Sequence, residues 1–187
     1  MVSQLKVNEI ITQSGSTLSL GQSGDTLSVT TGALQSNVLY PAWSVELSAN
    51  QTISSGASTK IELNNSIFDT DSGLDTTTNY RYTVPSGKGG KYIVNFSSRT
   101  DLAIDTDSKT LIKVNGNSQY NSFQGSVKPN ATGSIHFCGS CILNLSAADY
   151  IELYLLQNSG SAQLAYANYC AMSGFRIGTE MTSKLKV

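Results

Sequence analysis

Apolar side chains recur at every second position through most of this chain. The clearest runs are Trp43-Val45-Leu47, Tyr80-Tyr82-Val84, Tyr92-Val94-Phe96, Leu143-Leu145 and Ile151-Leu153-Leu155. A period of two places alternate side chains on opposite faces of an extended strand, so each run reads as a strand with one buried face. The runs are short and bounded by Gly, Asn, Asp, Ser or Pro, and no stretch carries the three-and-four spacing of an amphipathic helix. Many short strands at such intervals predict an all-β sandwich or barrel.

The pattern changes near Tyr40-Pro41-Ala42-Trp43. Residues 1–40 are poor in aromatics and contain a short repeat, Gly15-Ser16-Thr17-Leu18-Ser19-Leu20 followed by Gly24-Asp25-Thr26-Leu27-Ser28-Val29. Each copy offers only two inward apolar side chains, Leu18 and Leu20 and then Leu27 and Val29. So thin a segment needs identical copies wrapped around it, or another protein beneath it, to bury its face. The expected organisation is a β-repeat stem or docking arm over residues 1–40, a globular head over 41–178 and a flexible tail over 179–187.

Composition sharpens this picture. Charged residues make up 13% of the 187 positions, while Ser, Thr, Asn and Gln together number 69. Ordinary soluble domains carry about 25% charge. Short hydroxyl and amide side chains compete with helical backbone bonding but suit strands and turns. Disorder is excluded by nine Tyr, five Phe, one Trp and the alternating aliphatic runs, which together can bury a face. A net charge of −1 with scattered Lys and Arg leaves no footprint for nucleic acid. No apolar stretch reaches the length of a membrane span or a signal peptide. The expectation is a soluble product that inserts into no membrane.

Candidate chemistry is sparse. His136, Cys138, Cys141 and Cys170 are four soft ligands, and Cys138-Gly139-Ser140-Cys141 has zinc-ligand spacing. On a strand, however, His136 and Cys138 share one face while Cys141 points to the other, unless Gly139 forms a bulge. Small buried cysteines are the expected outcome. Asp69, Asp71 and Asp75 resemble the start of a calcium loop, but Leu74 stands at the turn position that needs Gly and Tyr80 at the bidentate Glu position. Asp101, Asp105 and Asp107 form a second carboxylate group, and turn aspartates are the expected reading of both. One histidine without a Gly-x-Ser-x-Gly element gives no nucleophile signature. Ser86-Gly87-Lys88-Gly89-Gly90-Lys91 lacks the ending of a phosphate loop and reads as a hairpin turn into Tyr92. No catalytic residue, cofactor or metal is expected.

Five elements, in order, resemble the trimeric jelly roll of the complement-one-q and tumour-necrosis-factor superfamily. They are Phe68-Asp69; Tyr82-Thr83-Val84-Pro85; Gly90-Lys91-Tyr92-Ile93-Val94-Asn95-Phe96; Leu145 to Leu153, with Ala148 in place of a Gly; and Ser173-Gly174-Phe175-Arg176-Ile177. The resemblance covers residues 50–178. It implies a jelly-roll β-sandwich and a homotrimer formed through one sheet face, with Tyr92, Tyr154 and Tyr166 as candidates for that face. The opening of the chain is similar to that of phage structural proteins, in which such repeats precede a globular head.

The expected function is therefore non-enzymatic. A bacteriophage virion protein fits best, as a trimeric short fibre or receptor-binding tip on the virion surface, assembled in the host cytoplasm. Its partners would be its own copies, other virion proteins through residues 1–40, and a host-surface glycan or protein. The alternative is a capsid-decoration trimer held on the shell by its N-terminal arm. A polysaccharide-degrading enzyme would need a carboxylate pair in a groove.

Overall fold

The structure, a computed structural model, describes residues 41–102, 107–117 and 133–179. The repeat leucines and Val29, residues 180–187 of the tail and Asp105 lie outside the described residues; Thr179, expected to open the tail, instead pairs with Gly90 in the last strand.

Twelve strands follow one another with no helix among the described residues: β1 (Ala42–Glu46), β2 (Gln51–Ile53), β3 (Thr59–Lys60), β4 (Asn65–Asp69), β5 (Leu74–Asp75), β6 (Arg81–Thr83), β7 (Gly90–Leu102), β8 (Ser108–Val114), β9 (Gly133–Leu145), β10 (Tyr150–Gln157), β11 (Gln163–Ala165) and β12 (Ala171–Thr179). The larger sheet runs β2-β11-β7-β12-β1-β4, with β9 on the other side of β7; the smaller runs β3-β10-β6-β5, with β8 on the other side of β10. Every pairing between these strands is antiparallel. The two sheets pack face to face as a jelly-roll sandwich, because each presents one apolar face and neither can bury it alone.

The alternating runs supply that core. Trp43 and Val45 from β1, Tyr92, Val94 and Phe96 from β7, and Cys141, Leu143 and Leu145 from β9 face inward from the larger sheet. Tyr82 from β6 and Ile151, Leu153 and Leu155 from β10 meet them from the smaller sheet. Trp43 stacks on Tyr82 with ring centres 4.6 Å apart, which ties the two sheets together through their largest side chains. Away from this apolar centre, the hydroxyls of Ser98 on β7 and Thr110 on β8 share a buried 2.6 Å hydrogen bond.

Two sequence readings change in the fold. The glycine-rich stretch does turn, with Lys88 N–H donating to the Pro85 carbonyl and Gly87 at φ +72°, but it closes no hairpin. β6 belongs to the smaller sheet and β7 to the larger, so the turn carries the chain from one layer to the other. Ala148, which stands where the resembling families carry glycine, adopts φ +71° in the turn Ser146–Asp149. A Cβ in the left-handed region costs roughly 1–2 kcal/mol, partly offset by the chain entropy that glycine adds to the unfolded state. Ala148→Gly is therefore expected to stabilise the fold slightly, by up to about 1 kcal/mol, read as a higher midpoint in urea denaturation. A drop in the midpoint would contradict this account of the turn.

Candidate functional site

The zinc reading is decided by strand parity. The β7–β9 register is continuous, pairing Ser97 with Cys138, Phe96 with Gly139 and Val94 with Cys141, so Gly139 makes no bulge. Glycine is required there for another reason: a Cβ would come within 2.4 Å of the Phe96 ring. His136 and Cys138 consequently face outward and Cys141 faces the core. Burial pushes the Cys141 thiol up to about 11 and also raises that of Cys170. Cys170 is fully buried, and all three cysteines are unpaired. His136 sits edge-on to Tyr169, with ring centres 5.2 Å apart. Among the described residues, no three His, Cys, Asp or Glu side chains form a group that could hold a metal.

The three aspartates of the calcium reading shape their own loops. Asp69, at the end of β4, accepts from the backbone N–H groups of Asp71 and Leu74 and closes the loop between them. Asp71 accepts from the Thr70 hydroxyl at 2.6 Å and pairs with Lys88 Nζ at 3.0 Å, so an ammonium stands where a cation would bind. The Thr70 hydrogen bond, with help from Lys88, lowers its pKa. Asp75 accepts from the N–H groups of Thr77 and Thr78 and from the Asn79 amide. Those bonds, the Thr78 N–H first among them, hold its carboxyl well below the ordinary value of 3.8.

A carboxylate whose pKa falls on folding stabilises the fold above its unfolded pKa and loses that contribution as pH falls. Asp75→Asn is therefore expected to lower the melting temperature at neutral pH. The gap from the unchanged protein should shrink below about pH 4, where Asp itself becomes protonated in the unfolded chain. A gap that persists undiminished in acid would show that the charge is irrelevant to the loop.

The three tyrosines named from the resemblance do not share a face. Tyr92 is a correction: it is 0% exposed, and its hydroxyl donates to the Lys88 carbonyl at 2.6 Å. It points inward because its parity on β7 matches that of Val94 and Phe96. Tyr154 lies on the outer face of the smaller sheet, where its hydroxyl donates to Glu152 and Lys113 lies over its ring. Tyr166 follows β11, and its hydroxyl donates to Asp101. Its ring and that of Tyr169 each lie 4.6 Å from the Arg99 guanidinium. Arg99 donates to the Ser134 hydroxyl, which in turn donates to Asp101. These hydrogen bonds, led by that of Ser134, lower the Asp101 pKa, while the bond to Asp101 raises that of Tyr166.

The face with the most unusual surface escaped the sequence reading. Across the outside of the larger sheet, the register aligns Ala42, Phe175, Ile93 and Ile142 in one row over β1, β12, β7 and β9. Ile142 is 60% exposed and Phe175 44%. The next row is Phe68, Ser44, Ser173, Asn95 and Ser140, and a shallow depression of about 170 Å³ lies among Ser44, Asn95, Ser97, Ala171 and Ser173. Neither row contains a charge. Strand alternation predicts polar residues on such a face, and Phe175 and Ile142 were the available signal, each standing out of phase with the inward positions of its strand.

No protein-family model matches the chain, and no curated protein sequence matches it. Solved structures do. Murine APRIL at pH 5.0 is similar with a TM-score of 0.50 and 12% identity over 74% of this chain and 99% of that one. The globular domain of zebrafish complement 1qA protein gives a TM-score of 0.47 and 18% identity over 74% and 98%. Eiger TNF from S. frugiperda gives 0.49 and 12% over 80% and 99%. At these identities the likeness is one of fold, the jelly-roll sandwich described above.

Proposed function

We propose that this chain is a non-enzymatic structural protein. It assembles as a homotrimer through the outer face of its larger sheet and works on the outside of a bacteriophage particle as a short fibre or receptor-binding tip. The observation that carries the assembly is the uncharged row Ala42, Phe175, Ile93 and Ile142, apolar side chains aligned across four strands, of which Ile142 and Phe175 are left in water by the single chain. Contiguous apolar surface of this kind marks a protein–protein contact. β9 adds to it: among the described residues it pairs on one side only, over 13 residues that include no Lys, Asp, Glu or Pro. Natural edge strands of that length are ordinarily covered or broken by charge.

The virion role rests on residues 1–40, whose repeat resembles the opening of phage structural proteins and would form a stem or an arm. A second reading keeps the trimer and lays that arm on the capsid shell, making the protein a decoration trimer. The two apolar side chains of each repeat suit a segment lying on another protein as well as one wrapped in a stem.

The test is the molar mass in solution of the full-length protein and of a chain beginning at Ala42. Trimers in both place assembly in the head. A trimer only at full length would move assembly to residues 1–40, and monomers in both would overturn the proposal.

A further inference from the structure

The histidine that fails as a metal ligand sits where assembly would bury it. His136 is the single histidine of the chain, and histidine is the side chain whose charge ordinarily changes between about pH 5 and 8. Strand alternation puts it on the outer face of the larger sheet, with Ser134, Cys138, Ser140 and Ile142 of β9. That is the face through which the copies meet. Its apolar row is only one residue deep, whereas a stable contact covers about 800 Å² on each partner, a patch roughly 30 Å across. His136 lies about 20 Å from Ile142 along the strand, within the reach of such a patch.

The neighbours of His136 set the sign of its response. Directly across the β7–β9 pairing stands Arg99, and both side chains use the ring of Tyr169. The imidazole meets that ring edge-on with centres 5.2 Å apart, and the guanidinium lies 4.6 Å from its centre. Tyr169 is 45% exposed and His136 is exposed as well, so the single chain leaves this group in water. Asp101 stands diagonally opposite, one pair further along β7. Its carboxylate already accepts from the Ser134 and Tyr166 hydroxyls, which keep it ionised. Arg99 and Asp101 therefore balance each other, and a proton on His136 adds a charge without a match. The remaining charged groups on this face of the described strands are distant. Glu46 is three strands away in the row Glu46, Ala171, Ser97 and Cys138, where the Asn65 amide donates to it. Lys91 lies near the far end of β7. On the single chain, water screens an imidazolium beside Arg99. Covered by a second copy, the same cation would lose its water and meet Arg99 at low dielectric.

We infer that His136 makes the assembly pH-dependent: copies associate while its imidazole is neutral and separate as it takes up a proton. This rests on the assembly reading above and adds its regulation. A rise in pH favours the state that binds fewer protons, and the assembled state is that one. Assembly is therefore strongest above the ordinary histidine value of about 6.5 and is lost as pH falls through it.

The experiment follows the mass of the full-length protein by light scattering over a dilution series at about pH 7.5 and about pH 5.5, a range in which ordinary Asp and Glu stay ionised. The concentration at half assembly is expected to rise about tenfold or more at the lower pH, and to recover when the pH is restored. His136→Gln, which keeps a neutral polar side chain, should assemble equally at both. His136→Lys, which fixes a positive charge at the position, should assemble at the higher pH only as weakly as the unchanged protein does in acid. Circular dichroism should show the same β spectrum for both variants, because His136 is exposed in the single chain. Trimers equally stable at both pH values end this inference and leave the assembly standing. A pH dependence that survives in His136→Gln, or a His136→Lys protein that assembles normally, overturns it as well. Monomers at every pH and concentration end both proposals.

Discussion

Trp43→Ala is expected to destabilise the fold by about 3–5 kcal/mol, a large share of the 5–15 kcal/mol that holds a typical domain folded. Trp43 is 0% exposed. Its ring stacks on Tyr82 from the opposite sheet at 4.6 Å and 18°, and Tyr82 in turn lies 6.2 Å from Tyr92. On its other strand neighbour, Gly174, a Cβ would fall 2.9 Å from the indole, so the backbone there approaches the ring closely. Truncation would remove the central contact between the layers and leave a cavity walled by rigid strands, which relax only partly. The thermal midpoint should fall by about 10 °C or more, read by circular dichroism. A change of only a degree or two would mean that the aromatic stack is not what joins the sheets.

Ile142→Asp together with Phe175→Asp is expected to reduce the assembled protein to monomers while the head stays folded. The two residues lie in one row, separated by Ile93 on β7, and both are exposed in the single chain, so the substitutions place charges in water and cost the monomer little. In an assembled interface the same carboxylates would be buried without partners, at a cost of several kcal/mol each. Light scattering should show the mass fall to one third, with the β spectrum unchanged. Unchanged mass would move the contact elsewhere. Loss of the spectrum together with the mass would show that the row supports the fold itself.

The fold was legible because its signal is local. Tyr92, Val94 and Phe96 alternate on β7, and Ile151, Leu153 and Leu155 on β10, and all six are buried. Parity also separated Cys141 from His136 and Cys138, since the argument needs only the two-residue period and the absence of a bulge. The same rule was available for Tyr92, but its assignment to an interface came from resemblance and ignored the alternation that sends its ring into the core. Asp69, Asp71 and Asp75 were legible as residues that shape turns, though not their individual partners, whereas Asp101 lies within β7 opposite Ser134 and not in a turn.

What no local pattern could supply was register. Ala42, Phe175, Ile93 and Ile142 are spread over 134 positions of the chain, and only the pairing of β1, β12, β7 and β9 brings them into one row. On the outer face of the smaller sheet, Arg81 and Lys113 likewise come from β6 and β8, and the rings of Tyr150 and Tyr154 beneath them come from β10. The amino-acid sequence by itself determined strand character and the direction of each side chain within its own strand, because a period of two is set by backbone geometry alone. The tertiary structure decided which strands lie side by side, and so which side chains share a face, because that depends on long-range pairing selected by burial of the whole core.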